Sequence, residues 1–421
     1  MLLFTKARCW ISIHMPDLID NINDWLLIQA LGDDDISVTL AGVATRLKDG
    51  GIPIARINMG RPALHPVIRL IDLEWKSDTG RVELNTVSRK AFTLDFEKAM
   101  WKTPFGDIAR GRVKHIVADL KNPDDVKRYE LFEKMADDGL TGYVAYMRHF
   151  GRERTIYSET ELDLRGAVVS FATRRFSGFS QSDVDGLERL VSALCICARV
   201  DNDRFLANEL LGSYLGRISS QLVLSGQVER GDGREMDCAI LYSDLRGSVA
   251  LSQQLDSNAY LDTVNAYFDC TINAISDHGG EVLKLIGDGV LAIYPFDDKS
   301  RPRSNMCAAA LESAREAIAR ATYVNKARTD AELPVIEFGI GLHVGKVIYG
   351  NVGTEKRLDF TATGPAVGLA ARIEALTREL NVPILATKEF SDYCTDEPIP
   401  VPEQVIKDFP DPVQLVKFEV Q

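Results

Sequence analysis

The sequence predicts a protein of mixed α/β (α+β) class built from two domains. Three observations carry this. Strand-like apolar segments are interleaved with helical periodicity in both halves of the chain. A helical stretch, residues 201–231, separates the halves and ends at Gly231-Asp232-Gly233, a strong punctuation signal. The 421 residues suffice for two or three domains of ordinary size.

Composition narrows the function classes. Hydrophobic residues make up 45% and charged residues 26%, the usage of a globular protein. Lys and Arg number 49 against 61 Asp and Glu, so the formal charge is −12 and a nucleic-acid partner is disfavoured. No apolar run approaches the roughly 18–20 residues of a membrane span. The first 15 residues carry Lys6 and Arg8 but no long apolar core or small-residue cleavage site, so they do not read as a signal peptide. Residues 1–16 read as a tail, or Met15 is the true start; the sequence leaves both open. Seven cysteines are scattered, and the spacing of Cys195 and Cys197 is wrong for a zinc knuckle. They read as buried thiols, which implies a reducing, cytoplasmic setting.

Residues 17–200 read as one domain. Residues 20–31 form a helix, with Ile22, Leu26 and Ala30 four apart. A second helix, residues 38–47, is closed by Asp49-Gly50-Gly51. Strand-like segments follow at 52–57, 67–75, 82–86, 142–148 and 167–173. Residues 183–200 return to helical periodicity through Leu187, Leu190, Val191 and Leu194. The run Gly166-Ala167-Val168-Val169-Ser170-Phe171-Ala172-Thr173, then Phe179-Ser180-Gln181-Ser182-Asp183 and a helix, resembles the end of a GAF domain. The resemblance implies a sensor that receives a small-molecule or protein signal.

In the connector, Leu211, Leu215, Ile218 and Leu222 are spaced 4, 3, 4. That spacing suits a short two-stranded seam between parallel helices, or equally a helix packed on its own domain.

Residues 232–421 carry the chemistry. Residues 238–242 are a nearly continuous apolar run, read as a buried strand. Asp244 follows, then Arg246-Gly247-Ser248 and a long amphipathic helix. A strand, a glycine turn and a helix start, at Gly247 and Ser248, make a phosphate cradle of free backbone N–H groups. Asp244 also suits a simple capping role. The helix stops at His278-Gly279-Gly280. Residues 281–286 and 290–294 read as two strands joined by Gly287-Asp288-Gly289, where Asp288 serves as a turn residue. Placed beside the first strand, this hairpin brings Asp288 near Asp244. Two carboxylates at neighbouring strand ends suit magnesium, which takes one or two carboxylates and completes its shell with phosphate oxygens.

The segments Tyr242-Ser243-Asp244-Leu245-Arg246-Gly247 and Lys284-Leu285-Ile286-Gly287-Asp288-Gly289 resemble the metal motifs of class III nucleotidyl cyclases. Gly339-Ile340-Gly341-Leu342-His343-Val344-Gly345, with Gly350 and Gly353, is similar to that family's next strand pair, and residues 358–372 to its last motif. The resemblance implies a ferredoxin-like catalytic domain that cyclises ATP to cyclic AMP, releasing pyrophosphate. It implies two Mg²⁺ or Mn²⁺ ions per site, held by Asp244, Asp288 and the backbone carbonyl of Leu245. It places Arg372 on the phosphoryl transition state, Lys407 on the terminal phosphates, and Lys284 and Thr361 on the base. Lysine is a pure donor and suits the acceptor N1 of adenine, whereas guanine presents a donor there. A guanylate cyclase is therefore disfavoured. The resemblance further implies a homodimer, with one protomer giving the carboxylates and the other the base pair and Arg372.

Two departures stand out. Asp408 follows Lys407 where the family usually has glycine. Gly368 stands four residues before Arg372, where the family has an asparagine that positions the ribose. Gly368 also admits a different reading, a degenerate cyclase that binds nucleotide only to regulate a partner. His343, between glycines in a strand, reads as structural.

Overall fold

The computed structural model describes residues 15–420 except Leu64, residues 111–112, residues 151–165 and Asp298. The chain divides into two compact units, Met1–Glu209 and Leu210–Gln421.

The N-terminal unit opens with α1 (Met15–Leu31) and α2 (Ile36–Asp49). The first helix thus starts inside the expected tail; the rest of that tail lies outside the described residues. Next come β1 (Arg56–Pro62), β2 (Ile68–Lys76) and β3 (Val82–Ser88). The expected strand at 52–57 is displaced: Ile52 and Ile54 are buried in the core, but pairing begins only at Arg56. Four short helices, α3 (Leu94–Met100), α4 (Pro104–Ala109), α5 (Pro123–Val126) and α6 (Glu130–Asp137), and the strand β4 (His115–Asp119) follow. Their signals are too short for periodicity to reveal. β5 (Gly142–His149) and β6 (Gly166–Thr173) complete an antiparallel sheet of order β3-β2-β1-β6-β5-β4. α7 (Gln181–Leu215) is far longer than expected. Its Leu187, Leu190, Val191 and Leu194 join Ile22, Leu26, Leu40 and Phe171 in one core.

The connector departs from a continuous seam. α7 ends at Leu215, Gly216 takes φ +84°, and α8 (Arg217–Leu224) starts anew. Leu211 and Leu215 therefore lie on a different helix from Ile218 and Leu222. The latter two pack with Tyr349 and Phe360 of their own unit. The buried Glu281 carboxylate accepts the Ile218 backbone N–H at 2.5 Å and so caps α8.

The C-terminal unit continues with β7 (Gly233–Leu245), α9 (Ser248–Gln254), α10 (Ser257–Asp277), β8 (Glu281–Ile286), β9 (Gly289–Pro295), α11 (Arg303–Asp330) and β10 (Phe338–Thr354). β11 (Arg357–Thr363), α12 (Pro365–Glu379), β12 (Ile384–Thr387), α13 (Lys388–Ser391), β13 (Ile399–Pro400) and β14 (Leu415–Lys417) follow. The sheet order β10-β7-β9-β8 with helices between is the ferredoxin-like βαββαβ arrangement. The long helix expected after Ser248 is two helices. Asp256 ends the first by capping the second, accepting from the Asn258 and Ala259 N–H groups at 2.9 and 3.0 Å.

β7 is nearly continuously apolar over residues 238–242 because both its faces are covered there. Ala239 and Leu241 pack under α10 and α11, while Cys238 and Ile240 pack toward β11 and α12. α12 lies close on β10, and Gly341 permits it: a side chain there would meet the backbone of Ala370 and Glu374 at 2.4–2.5 Å. Cys195, Cys197, Cys238, Cys270 and Cys307 are buried free thiols, and burial pushes Cys195 up to about 12. Among the described residues, no helix is long and apolar enough to cross a membrane.

Candidate active site

The β7–β9 register builds the acidic centre. Asp244 lies opposite Gly289, so Asp288, one residue earlier, sits at the same end of the sheet. The hairpin is one residue tighter than the expected joint Gly287-Asp288-Gly289. Gly287 and Asp288 form the two-residue turn, with φ +66° at Gly287, while Gly289 already pairs with Ile286 and Asp244. Gly287 thus meets the backbone requirement and Gly289 a spatial one: a side chain at 289 would stand 3.1 Å from Asp244 Oδ1 and 3.3 Å from the Tyr242 hydroxyl.

Burial, reinforced by the nearby charge of Asp288, pushes the Asp244 carboxyl up to about 6; a hydrogen bond from the Leu245 backbone opposes this. The Leu245 side chain is buried in the core, so only its backbone is available to a ligand. Among the described residues, no group of three or more His, Cys, Asp or Glu forms a metal cage. A partly desolvated carboxylate, Asp244, crowded by the charge of a second, Asp288, suits a divalent cation that takes its remaining oxygens from water and phosphate.

Two neighbours were not singled out in the sequence. Glu374 on α12 is buried, and burial followed by the charge of Asp244 pushes its carboxyl up to about 7. Its signal was available: it shares the buried stripe of α12 with Ala370, Ile373 and Thr377, where a charge is unusual. Arg246 donates from Nη2 to the carbonyls of Thr377 and Val382 at 3.3 and 3.1 Å. A guanidinium on the last carbonyls of a helix is favourable there. It ties the turn after Asp244 to the end of the helix that bears Arg372.

A second cluster gathers Lys284 and Thr361, the residues expected to read the base. Lys284 on β8 makes an ion pair with Asp359 on β11, a partner the sequence did not suggest. Asp359 and Thr361 are two apart on one strand and so share a face. Gly247, at φ +71°, precedes α9 and makes no side-chain cap; Ser248 is its first residue.

Arg372 stands on the exposed side of α12, 3.5 Å from Asp408. Lys407 is exposed in the turn before Asp408. Asp408 takes φ +72°, the left-handed region that favours glycine, which explains why the substitution there is unusual and shows that this chain adopts the turn nonetheless. Among the described residues, no hydrogen bond or ion pair joins Arg372 or Lys407 to either cluster. Gly368 is exposed, and a side chain there would meet nothing within 4 Å. His343 is buried, bonds Thr387 Oγ1 at 3.0 Å, and is pushed down to about 4 by burial, as a structural histidine should be.

The adenylate and guanylate cyclase catalytic domain family matches residues 232–395. An adenylate cyclase of Anabaena cylindrica is 32% identical over 186 residues, 44% of this chain and 35% of that one. An uncharacterized protein of Mycobacterium tuberculosis is 28% identical over 230 residues, 54% of this chain and 38% of that one. The chain thus spans little more than a third of the length of these curated relatives. The solved adenylyl cyclase CyaB from P. aeruginosa is 24% identical, with a TM-score of 0.38, over 44% of this chain and 95% of that one.

Proposed function

We propose that the chain, whose residues 232–395 match the adenylate and guanylate cyclase catalytic domain family, is an adenylate cyclase, converting ATP to 3′,5′-cyclic AMP and pyrophosphate. The observation that carries the reading is the Asp244–Asp288 pair at adjoining strand ends in a chain that also keeps Lys284 and Arg372.

Asp244, Asp288 and the Leu245 carbonyl would hold Mg²⁺ or Mn²⁺, two ions per site. Such ions supply Lewis acidity at the ribose 3′-hydroxyl and neutralise triphosphate charge. Absence of a side chain at Gly289 keeps room beside Asp244. Backbone N–H groups at Gly247 and Ser248 face the phosphates, and Lys407 meets the terminal ones. The Arg372 guanidinium stabilises charge that grows on the α-phosphoryl oxygens as the 3′-oxygen attacks and pyrophosphate leaves. Lys284 donates to N1 of adenine, and the Thr361 hydroxyl accepts from its exocyclic amine.

The exposure of Arg372, apart from both clusters, favours a homodimer whose sites are completed across a two-fold interface. The N-terminal unit serves as a GAF-like sensor of a separate signal, in a cytoplasmic protein. Gly368 supports a second reading, a nucleotide-binding regulatory module without turnover. Purified chain incubated with ATP or GTP, each with Mg²⁺ or Mn²⁺, separates these readings. Cyclic AMP and pyrophosphate from ATP are expected; a preference for GTP, or nucleotide binding without product, overturns the proposal.

A further inference from the structure

The sheet of the N-terminal unit is covered unevenly. One face carries the main core beneath α1, α2 and α7. On the other, Ile108, Ile116, Phe132, Met135 and Tyr143 close a second core around β4 and β5. Over β1–β3, α3 contributes no buried residue, and a cavity of about 320 Å³ remains. Small-molecule sites span about 300–1,000 Å³.

The cavity floor is a row of register partners across five strands: Met147, Val168, Gly60, Asp72 and Asn85. Gly60 leaves the floor open, since a side chain there would meet only the Asp72 carboxylate, at 3.8 Å. Leu70, Val87, Phe96, Met100 and Phe105 make apolar walls. One polar feature interrupts them. Asn58, 5% exposed, donates from Nδ2 to Asp72 Oδ1 at 2.8 Å. Among the described residues this is the one hydrogen bond that Asp72 accepts, although a carboxylate offers about four acceptor sites.

The other charged lining residue is already committed. Arg61 is buried and donates to the Ala198 carbonyl and to Asp201, each at 2.6 Å. Among the described lining residues, the cavity therefore presents spare acceptor capacity and negative charge with no uncommitted cation. Around Asp72 that combination disfavours phosphates and carboxylates. Burial also pushes the Asp72 carboxyl above its ordinary range, a cost that a cation or donor placed against it would relieve.

We propose that the N-terminal unit binds a small molecule with an apolar, ring-sized body and a cationic or hydrogen-bond-donating end that meets Asp72. The test uses the full chain and three probes of one shape: tryptamine, 3-methylindole and indole-3-acetate, titrated calorimetrically up to millimolar concentration. Tryptamine should bind most tightly and indole-3-acetate least. Asp72→Asn should weaken tryptamine by about tenfold or more, as loss of a charge-assisted hydrogen bond does, and leave 3-methylindole little changed. Gly60→Leu should fill the cavity and remove binding of both. Circular dichroism reports folding of the variants, and Met100→Trp fills the same space from the loosely packed helix if Gly60→Leu does not fold. No binding of any probe, tighter binding of indole-3-acetate, or tryptamine binding that survives both the Asp72 and the cavity-filling substitutions overturns the proposal.

Discussion

Asp359 on β11 holds the ammonium of Lys284 on β8 in an ion pair, so the lysine proposed to read the base meets a carboxylate of its own chain two residues from Thr361. The pair is partly exposed, so its value lies in direction more than stability. Asp359→Asn should leave the melting temperature nearly unchanged while Lys284 loses its orientation. The expected result is a KM for ATP raised severalfold and an ATP-to-GTP ratio of kcat/KM lowered by about tenfold. Steady-state kinetics with both nucleotides checks this. An unchanged ratio would mean that the lysine is oriented without Asp359.

The acidic centre predicts how the metal-free protein responds to pH. The Asp244 carboxyl is raised from 3.8 to about 6 and that of Glu374 from 4.5 to about 7. Between pH 4 and 7, roughly, the folded chain binds more protons here than the unfolded chain, so these groups lower stability as pH rises through that window. Their effect is flat above it. Buried His343, pushed down to about 4, works in the opposite direction between about 4 and 6.5. Comparing wild type with Asp244→Asn in EDTA cancels that contribution, and the variant should gain stability relative to wild type as pH rises. Mn²⁺ should raise the melting temperature of wild type at pH 8 and do so less at pH 5.5. Parallel pH curves for the two proteins would argue that Asp244 is not desolvated.

The proposed sharing of sites between protomers makes a mixing experiment decisive. Asp244→Ala and Arg372→Ala should each fall below about a tenth of wild-type activity, because one loses a metal carboxylate and the other the transition-state cation. Mixed in equal amounts, half the dimers are heterodimers with one intact site each, so activity should return to about a quarter of wild type. Heterodimers that form without activity would contradict the two-fold arrangement.

Gly368 should limit turnover without abolishing it. The space beside it is open, and asparagine has better helix propensity than glycine, so Gly368→Asn should fold at no cost. Its amide would position the ribose when the 3′-hydroxyl lines up, so the gain should appear in kcat. Removing a positioned donor costs roughly 10²–10³ in rate elsewhere, and a rise of at least about tenfold is expected. An equal or lower kcat with Mn²⁺-ATP would show that another group already does this work.

The sequence by itself determined the elements whose signals are local and long. The apolar run of β7, the Gly-rich hairpin bearing Asp288 and the helical stripe of α7 were legible because burial imposes a period on consecutive residues. It also singled out Asp244 and Asp288, whose neighbours in the chain carry recognisable turn and strand chemistry, while Lys284 and Arg372 came from the resemblance to class III cyclases. Only the tertiary structure decided the break at Gly216, where the Glu281 carboxylate from a distant strand caps a new helix. Asp359 on Lys284, and Glu374 and Arg246 around Asp244, likewise came from the fold, because each meets its partner 75 to 136 residues away in sequence or through burial alone. Periodicity records which face of an element is buried; it does not record what stands opposite, and charge, proton affinity and cavity shape are set by what stands opposite.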